Sequence, residues 1–426
     1  MDIGRRISIY RKRSNMTLQQ VAGGNLSTAH LSKIENGYRR PGVHTLQLIA
    51  AAFDLPKEFF HHYEEEDEEV NHILAQLQLF IITHLEKAAP LIEAIDENYY
   101  EYLSNVHQEI YFLLLKCAYY CKSKMPMAAT TLYDEYIDAY LHDYSIDALP
   151  VRIKNTYHYC QGIRFFQRSD FQNSLHHYKN FSLLKSPLPV KAALTYNRAV
   201  LSNALEDYQK AIDYCKEVRT YYESLNQTED VSMILNLLGI IYLNQKKYDP
   251  AMDYLNQAED QAEKDENRYL LGQILHNKGV VMRNSGQSEQ ACVYLERALK
   301  LKNLQGVSAN KQITYHSLCK AYIEGGHLKQ ALNIYNTANS EVSLTSDHYY
   351  LLEAFLEYYK QTGDMKSYEK SLESCIDYFE HDADKEPLET LYQKLGHHLY
   401  HIGKYKRAAD CYLAHIKSTS GHPNNG

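Results

Sequence analysis

The chain has no tryptophan, only 10 prolines in 426 residues, and no cysteine pair at C-x-x-C spacing. Scarce proline leaves long stretches free to run as uninterrupted helix, because an interior proline removes a backbone hydrogen bond and clashes with the preceding turn. The eight cysteines, at 117, 121, 160, 215, 292, 319, 375 and 411, are scattered. They form no short secreted framework and are expected as reduced, packed side chains. No apolar run approaches the roughly 18 residues needed to cross a bilayer, and the opening MDIGRRISIYRKR has no apolar stretch behind its basic residues. Together these absences predict a cytoplasmic protein without a membrane partner. G-x-x-x-x-G-K-[ST], H-E-x-x-H and the nucleophile elbow are missing too, so nothing points to an enzyme and no cofactor is expected.

What is present is 39 tyrosines, 45% hydrophobic residues and 23% charged residues, a mixture that suits packed helices better than sheets. The length allows one domain plus a repeat array, or two to three domains. Charge is unevenly divided: residues 1–60 hold nine Lys/Arg against four acids, a surplus of +5, whereas the rest of the chain carries −13. A small basic head on a large acidic body is the pattern of a nucleic-acid-binding module attached to something that must stay off nucleic acid.

In the head, Ile3, Ile7 and Tyr10 recur at helical spacing and stop at Ser14-Asn15. Thr17 can cap a second helix carrying Leu18, Val21 and Ala22, and Gly23-Gly24-Asn25 supplies a turn. Ser27 can cap a third, with Leu31 and Ile34 inward and Thr28, His30 and Lys33 outward. A fourth uses Leu46, Ile49, Ala50 and Phe53, and Pro56 can open a last one with Phe59 and Phe60. A small bundle with a solvated basic face would read the same way. The runs MTLQQVA, LSKIENG and RPG followed by TLQLIAAAF, however, resemble the Xre or λ-repressor-like helix-turn-helix family over about 60 residues.

That resemblance implies a DNA-binding domain over residues 1–62, with Ser27 to Glu35 as the recognition helix in the major groove of double-stranded operator DNA. Thr28, Ala29, His30 and Lys33 would lie nearest the bases. Asn36, Gly37, Tyr38 and Arg39 would form the turn that meets phosphates, with Arg40, Thr17 and Ser27 alongside. Arg11 corresponds to the helix-one arginine that pairs with the glutamate at Glu35. Many members have glutamine where this chain has Leu18, so Gln19 is the expected substitute.

Residues 63–72 follow as an acidic linker, with acids at every position from 64 to 69 that repel one another and would repel DNA; the run reads as an exposed linker or a helix start, and a solvated helix face fits it too. Beyond it the chain repeats. Ala211, Ala251, Ala291 and Ala331 are spaced by 40, each followed four residues later by Cys215, Leu255, Leu295 or Tyr335. Twelve residues before them stand Ala199, Gly239, Gly279 and Cys319. Weaker copies surround Gly162 with Ser174, Gly363 with Tyr368 and Gly396 with Ala408, and a possible first copy surrounds Ala129. This small–large pattern resembles the tetratricopeptide repeat, though the period exceeds its usual length of about 34. The fold expected is therefore all-α: a λ-repressor-like helix-turn-helix domain, then a right-handed tetratricopeptide-repeat solenoid over 73–417 and a disordered tail over 418–426.

If the small residue is eighth in each unit's first helix, the inner face of such a solenoid reads Asn197, Asn236, His276, Asn277, Arg283, His316 and Lys320. A carboxamide donates and accepts, so recurring asparagines can grip the backbone of an extended peptide. Arg283 or Lys320 could take a terminal carboxylate, and Tyr196 and Ile240 offer apolar pockets. The alternative is that these amides satisfy neighbouring helices.

A head of this kind joined to such repeats resembles the peptide-responsive quorum-sensing regulators of Gram-positive bacteria, the RRNPP family, across essentially the whole chain. The resemblance implies a transcriptional regulator acting as a homodimer or higher homo-oligomer on a palindromic operator, controlled by a short signalling peptide in the repeat groove. A second reading comes from the Rap branch of that family: an interaction protein that regulates a phosphorelay component, with helix 71–87 and its Gln76 and Gln78 as contact surface. His397, His398 and His401 place two imidazoles at i and i+4, but without a third ligand a packed or solvated pair is expected and no metal. Cys117 and Cys121 share that spacing and that expectation.

Overall fold

The computed structural model describes residues 3–61, 65–98, 103, 105–142, 144–225, 228–304, 311–341, 345–381 and 386–420, and contains no strand among them. Residues 62–64, where the expected head meets the expected linker, and 421–426, in the expected tail, lie outside this set. Contacts group the chain into two units, residues 1–227 and 228–426.

The head builds from its caps. α1 (Ile3–Arg13) is followed by Asn15 at φ 51°. α2 (Leu18–Ala22) starts with a capping box in which the Thr17 hydroxyl accepts from the Gln20 amide while the Gln20 side chain accepts from Thr17 N–H. α3 (Thr28–Glu35) is capped by Ser27, whose hydroxyl accepts from His30 N–H at 3.1 Å, so Ser27 stands at the cap rather than inside the helix. α4 (Val43–Ala52) completes the set. Ile3, Ile7, Val21, Leu31, Ile34, Leu46 and Ile49 form the core. Gly4 lets α1 meet α3 directly, since a Cβ there would fall 1.9 Å from the Ile34 carbonyl oxygen.

The helix expected after Pro56 does not form. Phe59 N–H bonds back to Pro56 O and His61 N–H to Glu58 O, three residues apart, as in turns. Neighbouring side chains on a helix diverge by about 100°, and the turn instead lets both Phe59 and Phe60 reach a buried aromatic cluster with Tyr10 and Phe53.

Part of the acidic segment is a helix start, one of the two readings its charge run allowed. Asp67 caps α5 (Glu68–Thr83), accepting from the Glu69 and Val70 amides, so Glu68 and Glu69 occupy the first turn, where negative charge suits the helix dipole. Head and body then share an interface instead of being joined by a tether alone. After α6 (Ala89–Glu97), α7 (Val106–Lys122) carries Glu109, fully buried against Arg6 of α1 at 3.0 Å. Removing one member of such a buried pair costs on the order of 3–5 kcal/mol. α8 (Pro126–Leu132), a single π turn at Tyr133–Ile137 and α9 (Asp138–Leu141) complete this side of the body.

Helical hairpins follow. α10 (Val151–Gln167) pairs with α11 (Phe171–Asn180) and α12 (Leu188–Ala204) with α13 (Tyr208–Leu225) in the first unit. In the second unit, α14 (Thr228–Asn244) pairs with α15 (Tyr248–Lys264), α16 (Arg268–Asn284) with α17 (Ser288–Leu304), and α18 (Lys311–Glu324) with α19 (Leu328–Glu341). α20 (Thr345–Thr362) with α21 (Met365–His381) and α22 (Glu386–His401) with α23 (Tyr405–Ser420) complete it. The chain stays helical to Ser420, past the expected tail boundary at 418.

The small–large pattern is a packing rule. Ala211, Ala251, Ala291 and Ala331 are fully buried, and a Cβ on Gly239 or Gly279 would fall 2.6 Å from Leu255 Cγ or 2.5 Å from Leu295 Cγ. Gly363 follows a different rule: at φ 75° it belongs to the turn between α20 and α21, as Gly286, Gly326 and Gly403 do in their own hairpins.

Gly279→Ala should destabilise the chain by about 1–3 kcal/mol, because the added methyl forces Leu295 or the α16–α17 spacing to move. In a Leu295→Ala background the same change should cost much less. Chemical denaturation of the four variants measures the coupling.

Candidate functional site

The outward face of the head gathers the residues expected at DNA. Thr17, Gln19, Ser27, Thr28, Ala29, Lys33, Asn36, Arg39 and Arg40 are exposed, His30 is half-buried, and Tyr38 is 84% exposed. Leu31 and Ile34 anchor the other side of α3 in the core. At its end Gly37 takes φ 73°, and the Tyr38 and Arg39 amides both return to Lys33 O. The turn is thus closed by backbone bonds and by Asn36 Nδ2, which donates to Ser32 O at 2.8 Å, leaving Tyr38 and Arg39 outward. Arg11 holds α3 in place through Nε and Nη2 on the two Glu35 oxygens, each at 2.7 Å, and through Nη1 on Met16 O. The hydrogen bond to Glu35 raises the Arg11 pKa, so this fork stays charged.

In the second unit, first helices of successive hairpins meet through polar side chains. Asn277 Nδ2 donates to Asn236 Oδ1 at 2.8 Å, joining α16 to α14. The Thr314 hydroxyl lies 3.2 Å from His276 Nδ1 and accepts from buried Lys302 at 2.8 Å. Arg283 reaches Glu324 at 3.9 Å. Glu353 on α20 collects Lys320 at 2.9 Å and His316 at 3.6 Å from α18, and Lys394 at 3.1 Å from α22. Burial and nearby cations depress His276 to about 3, so it is neutral at pH 7. Burial also lowers His316, while His316 and the two lysines hold the Glu353 carboxyl far below the ordinary range despite its burial.

Six of the seven inner-face residues therefore lie on one unit. Asn197 belongs to the other, where its amide meets the Tyr178 hydroxyl. Sequence reasoning missed Glu353 and Lys394, the groups that tie His316 and Lys320 together. Their signal was charge at inner-face places of the next two first helices: Lys394 stands two residues before Gly396 as Asn277 does before Gly279, while Glu353 is hidden because its copy has Tyr368 where the others have a buried alanine.

The other candidates resolve into packing. Gln78 donates to the Thr156 hydroxyl at 2.8 Å and accepts from Tyr111, whereas Gln76 is exposed. His398 turns to Glu369 at 3.4 Å and His397 packs on the Tyr412 ring. No three His, Cys, Asp or Glu side chains among the described residues group as metal ligands. Cys117 and Cys121 are buried free thiols with pKa values pushed up. No described helix is long and apolar enough to cross a membrane.

A helix-turn-helix family model matches residues 7–60, and tetratricopeptide-repeat models match 191–264 and 268–303. The transcriptional activator NprA of Geobacillus stearothermophilus is 24% identical over 328 residues, 76% of this chain and 77% of that one. Among solved structures, the apo quorum sensor NprR from B. thuringiensis superposes with TM-score 0.63 at 18% identity, covering 83% of this chain and 99% of that one. NprR in complex with its cognate peptide NprX gives 0.61 at 17%, with 84% and 99% covered. A Rap protein complexed with competence and sporulation factor gives 0.63 at 16%, with 83% and 98% covered. At these identities the structural likeness is one of fold.

A carboxyl held below its usual value of 4.5 adds stability that is complete above that value and is lost as pH falls toward the folded value. Glu353→Gln should therefore destabilise the chain at pH 7, and the gap from wild type should narrow steadily below about pH 4.5. Urea midpoints of both proteins between neutral and acid pH provide the check.

Proposed function

We propose that this chain, which pairs a helix-turn-helix head with tetratricopeptide repeats as peptide-responsive quorum-sensing regulators do, is a transcriptional regulator. On this reading it binds operator DNA through α3 and the turn after it and is controlled by a short peptide on the repeats. The observation that carries it is the face from Thr28 to Arg40, exposed and cationic on an otherwise acidic chain. One helix fits the major groove, and phosphate contacts supply sequence-independent affinity. A homodimer would present two heads to half-sites about 10 base pairs apart or a multiple of that. Regulation proceeds without a chemical step, in the cytoplasm.

The row from Asn236 and Asn277 to Lys320 supports the peptide half of the reading, as does the fold shared with NprR, which has been solved in complex with its cognate peptide NprX. Asn236 and Asn277 bond to each other in the free chain. Asn236 is buried, so a peptide backbone would exchange that internal bond for its own N–H and C=O, at a net gain of about 0.5–1.5 kcal/mol per bond. At about 3.3 Å per residue, an extended peptide of five to eight residues matches the reach of two or three hairpins. The phosphorelay reading retains only Gln76 as an exposed glutamine on α5, and we place it second.

Two measurements test the two halves. Lys33→Ala and Arg39→Ala should each weaken binding to an operator selected from random duplexes by about 1–3 kcal/mol, with helical content unchanged. Wild-type affinity in both would remove this face from DNA. Asn236→Ala with Asn277→Ala should lower affinity for the peptide that co-purifies from the host by about tenfold or more. Basal operator binding should survive, and a wild-type peptide response would move the groove elsewhere.

A further inference from the structure

We propose that the body restrains the head by docking α1, and that the docked arrangement is the state of low DNA affinity; this rests on the DNA-binding reading above. Arg6, Ile9, Tyr10 and Arg13 stand at i, i+3, i+4 and i+7, a single stripe of α1, and all four engage the body. Arg6 pairs with Glu109 and donates to Leu103 O at 2.6 Å. The hydroxyls of Tyr10 and Tyr140 donate to the two Glu109 oxygens at 3.2 and 2.8 Å. Ile9 is buried in the body's core, and the Arg13 guanidinium lies 3.8 Å from the centre of the Tyr136 ring.

Beside this latch a cleft opens, with Arg5, Lys12 and Arg13 and the acid Glu35 near Asn36 on the head side, and Asp134, Glu135 and Asp138 on the body side. Asp134 and Asp138 have looser partners, Arg164 at 3.6 Å and His142 at 3.7 Å, and keep most of their charge toward solvent. Asn36 belongs to the turn that would meet phosphates. A DNA backbone reaching it would therefore approach a cleft whose far wall carries three carboxylates, and unscreened charges act over about 10 Å at 0.1 M salt. Like charge at that range opposes a ligand as densely anionic as DNA.

The chemistry of the latch fits a contact that opens. An apolar interface of similar volume would hold at least as well as a buried ion pair. Arg6 and Glu109, once parted, regain hydration that apolar residues would not, so separation is less costly than for an apolar seam of equal area. Any rearrangement of α7 or α9 that moves Glu109 or Tyr136 acts directly on the head.

The test uses the full-length, peptide-free protein and a labelled duplex of arbitrary sequence, about 30 base pairs long, which reads the electrostatic part of binding. Asp134→Asn, Glu135→Gln and Asp138→Asn together change only body-side surface groups, the first two exposed and Asp138 half-buried. This variant should bind about tenfold or more tightly than wild type at low salt, and the gap should close as salt rises. A control triple, Glu206→Gln, Asp213→Asn and Glu223→Gln, makes the same charge change away from the cleft and should bind within about twofold of wild type. Duplex binding by wild type that the cleft variant leaves unchanged, or that the control raises equally, overturns the docking proposal alone. If neither wild type nor variants bind duplex DNA, the DNA-binding reading falls with it.

Discussion

Two helices of a hairpin can approach only as closely as the side chains between them allow, and the body of this protein is organised by that limit. Where Gly279 faces Leu295 or Gly239 faces Leu255, no room remains for a Cβ. The close pairing keeps each hairpin a rigid unit with a defined first helix, and stacking then sets polar groups of successive first helices side by side. The Asn236–Asn277 bond and the convergence of His316, Lys320 and Lys394 on Glu353 follow from that spacing. A surface built this way can respond to a ligand by changes between hairpins, because each hairpin contacts mainly its neighbours.

Electrostatics divides the work. Three of the head's nine cations, Lys33, Arg39 and Arg40, face outward on α3 and its following turn, while Arg6, Arg11 and Arg13 of α1 are spent internally on Glu109, Glu35 and the Tyr136 ring. The body's acids are partly neutralised inside the stack, as at Glu353, and partly exposed near the head, as at Asp134 and Glu135. On the proposed reading, an acidic body limits non-specific DNA contact and sets a repulsive surface beside the head.

α1 connects these roles because it has two buried faces. Ile3 and Ile7 enter the head's core, and Arg6, Ile9, Tyr10 and Arg13 face α7 to α9. A helix shared in this manner belongs to neither part alone, so a shift of the body is transmitted to the head through packed side chains rather than through a flexible tether.

Local signals written into the chain determined much of this. Thr17 and Ser27 cap the helices they precede, Gly37 takes the left-handed turn after α3, and the 40-residue spacing of alanines marks the hairpins. Capping, chain reversal and close helix contact depend on residues near in sequence or on strict periods, and such features can be read in one dimension. The turn at Phe59-Phe60, the helix start at Glu68 and the place of Gly363 were legible only within a residue or two, since burial of neighbours decides between turn and helix there. Tertiary structure alone decided that Arg6 meets Glu109, that Asn277 meets Asn236 while Asn197 meets Tyr178, and that Glu353 is the hub for residues on two other hairpins. These partners lie far apart along the chain or in copies whose repeat signal has faded, and the energy of a buried charge or amide depends on which group the completed fold sets against it.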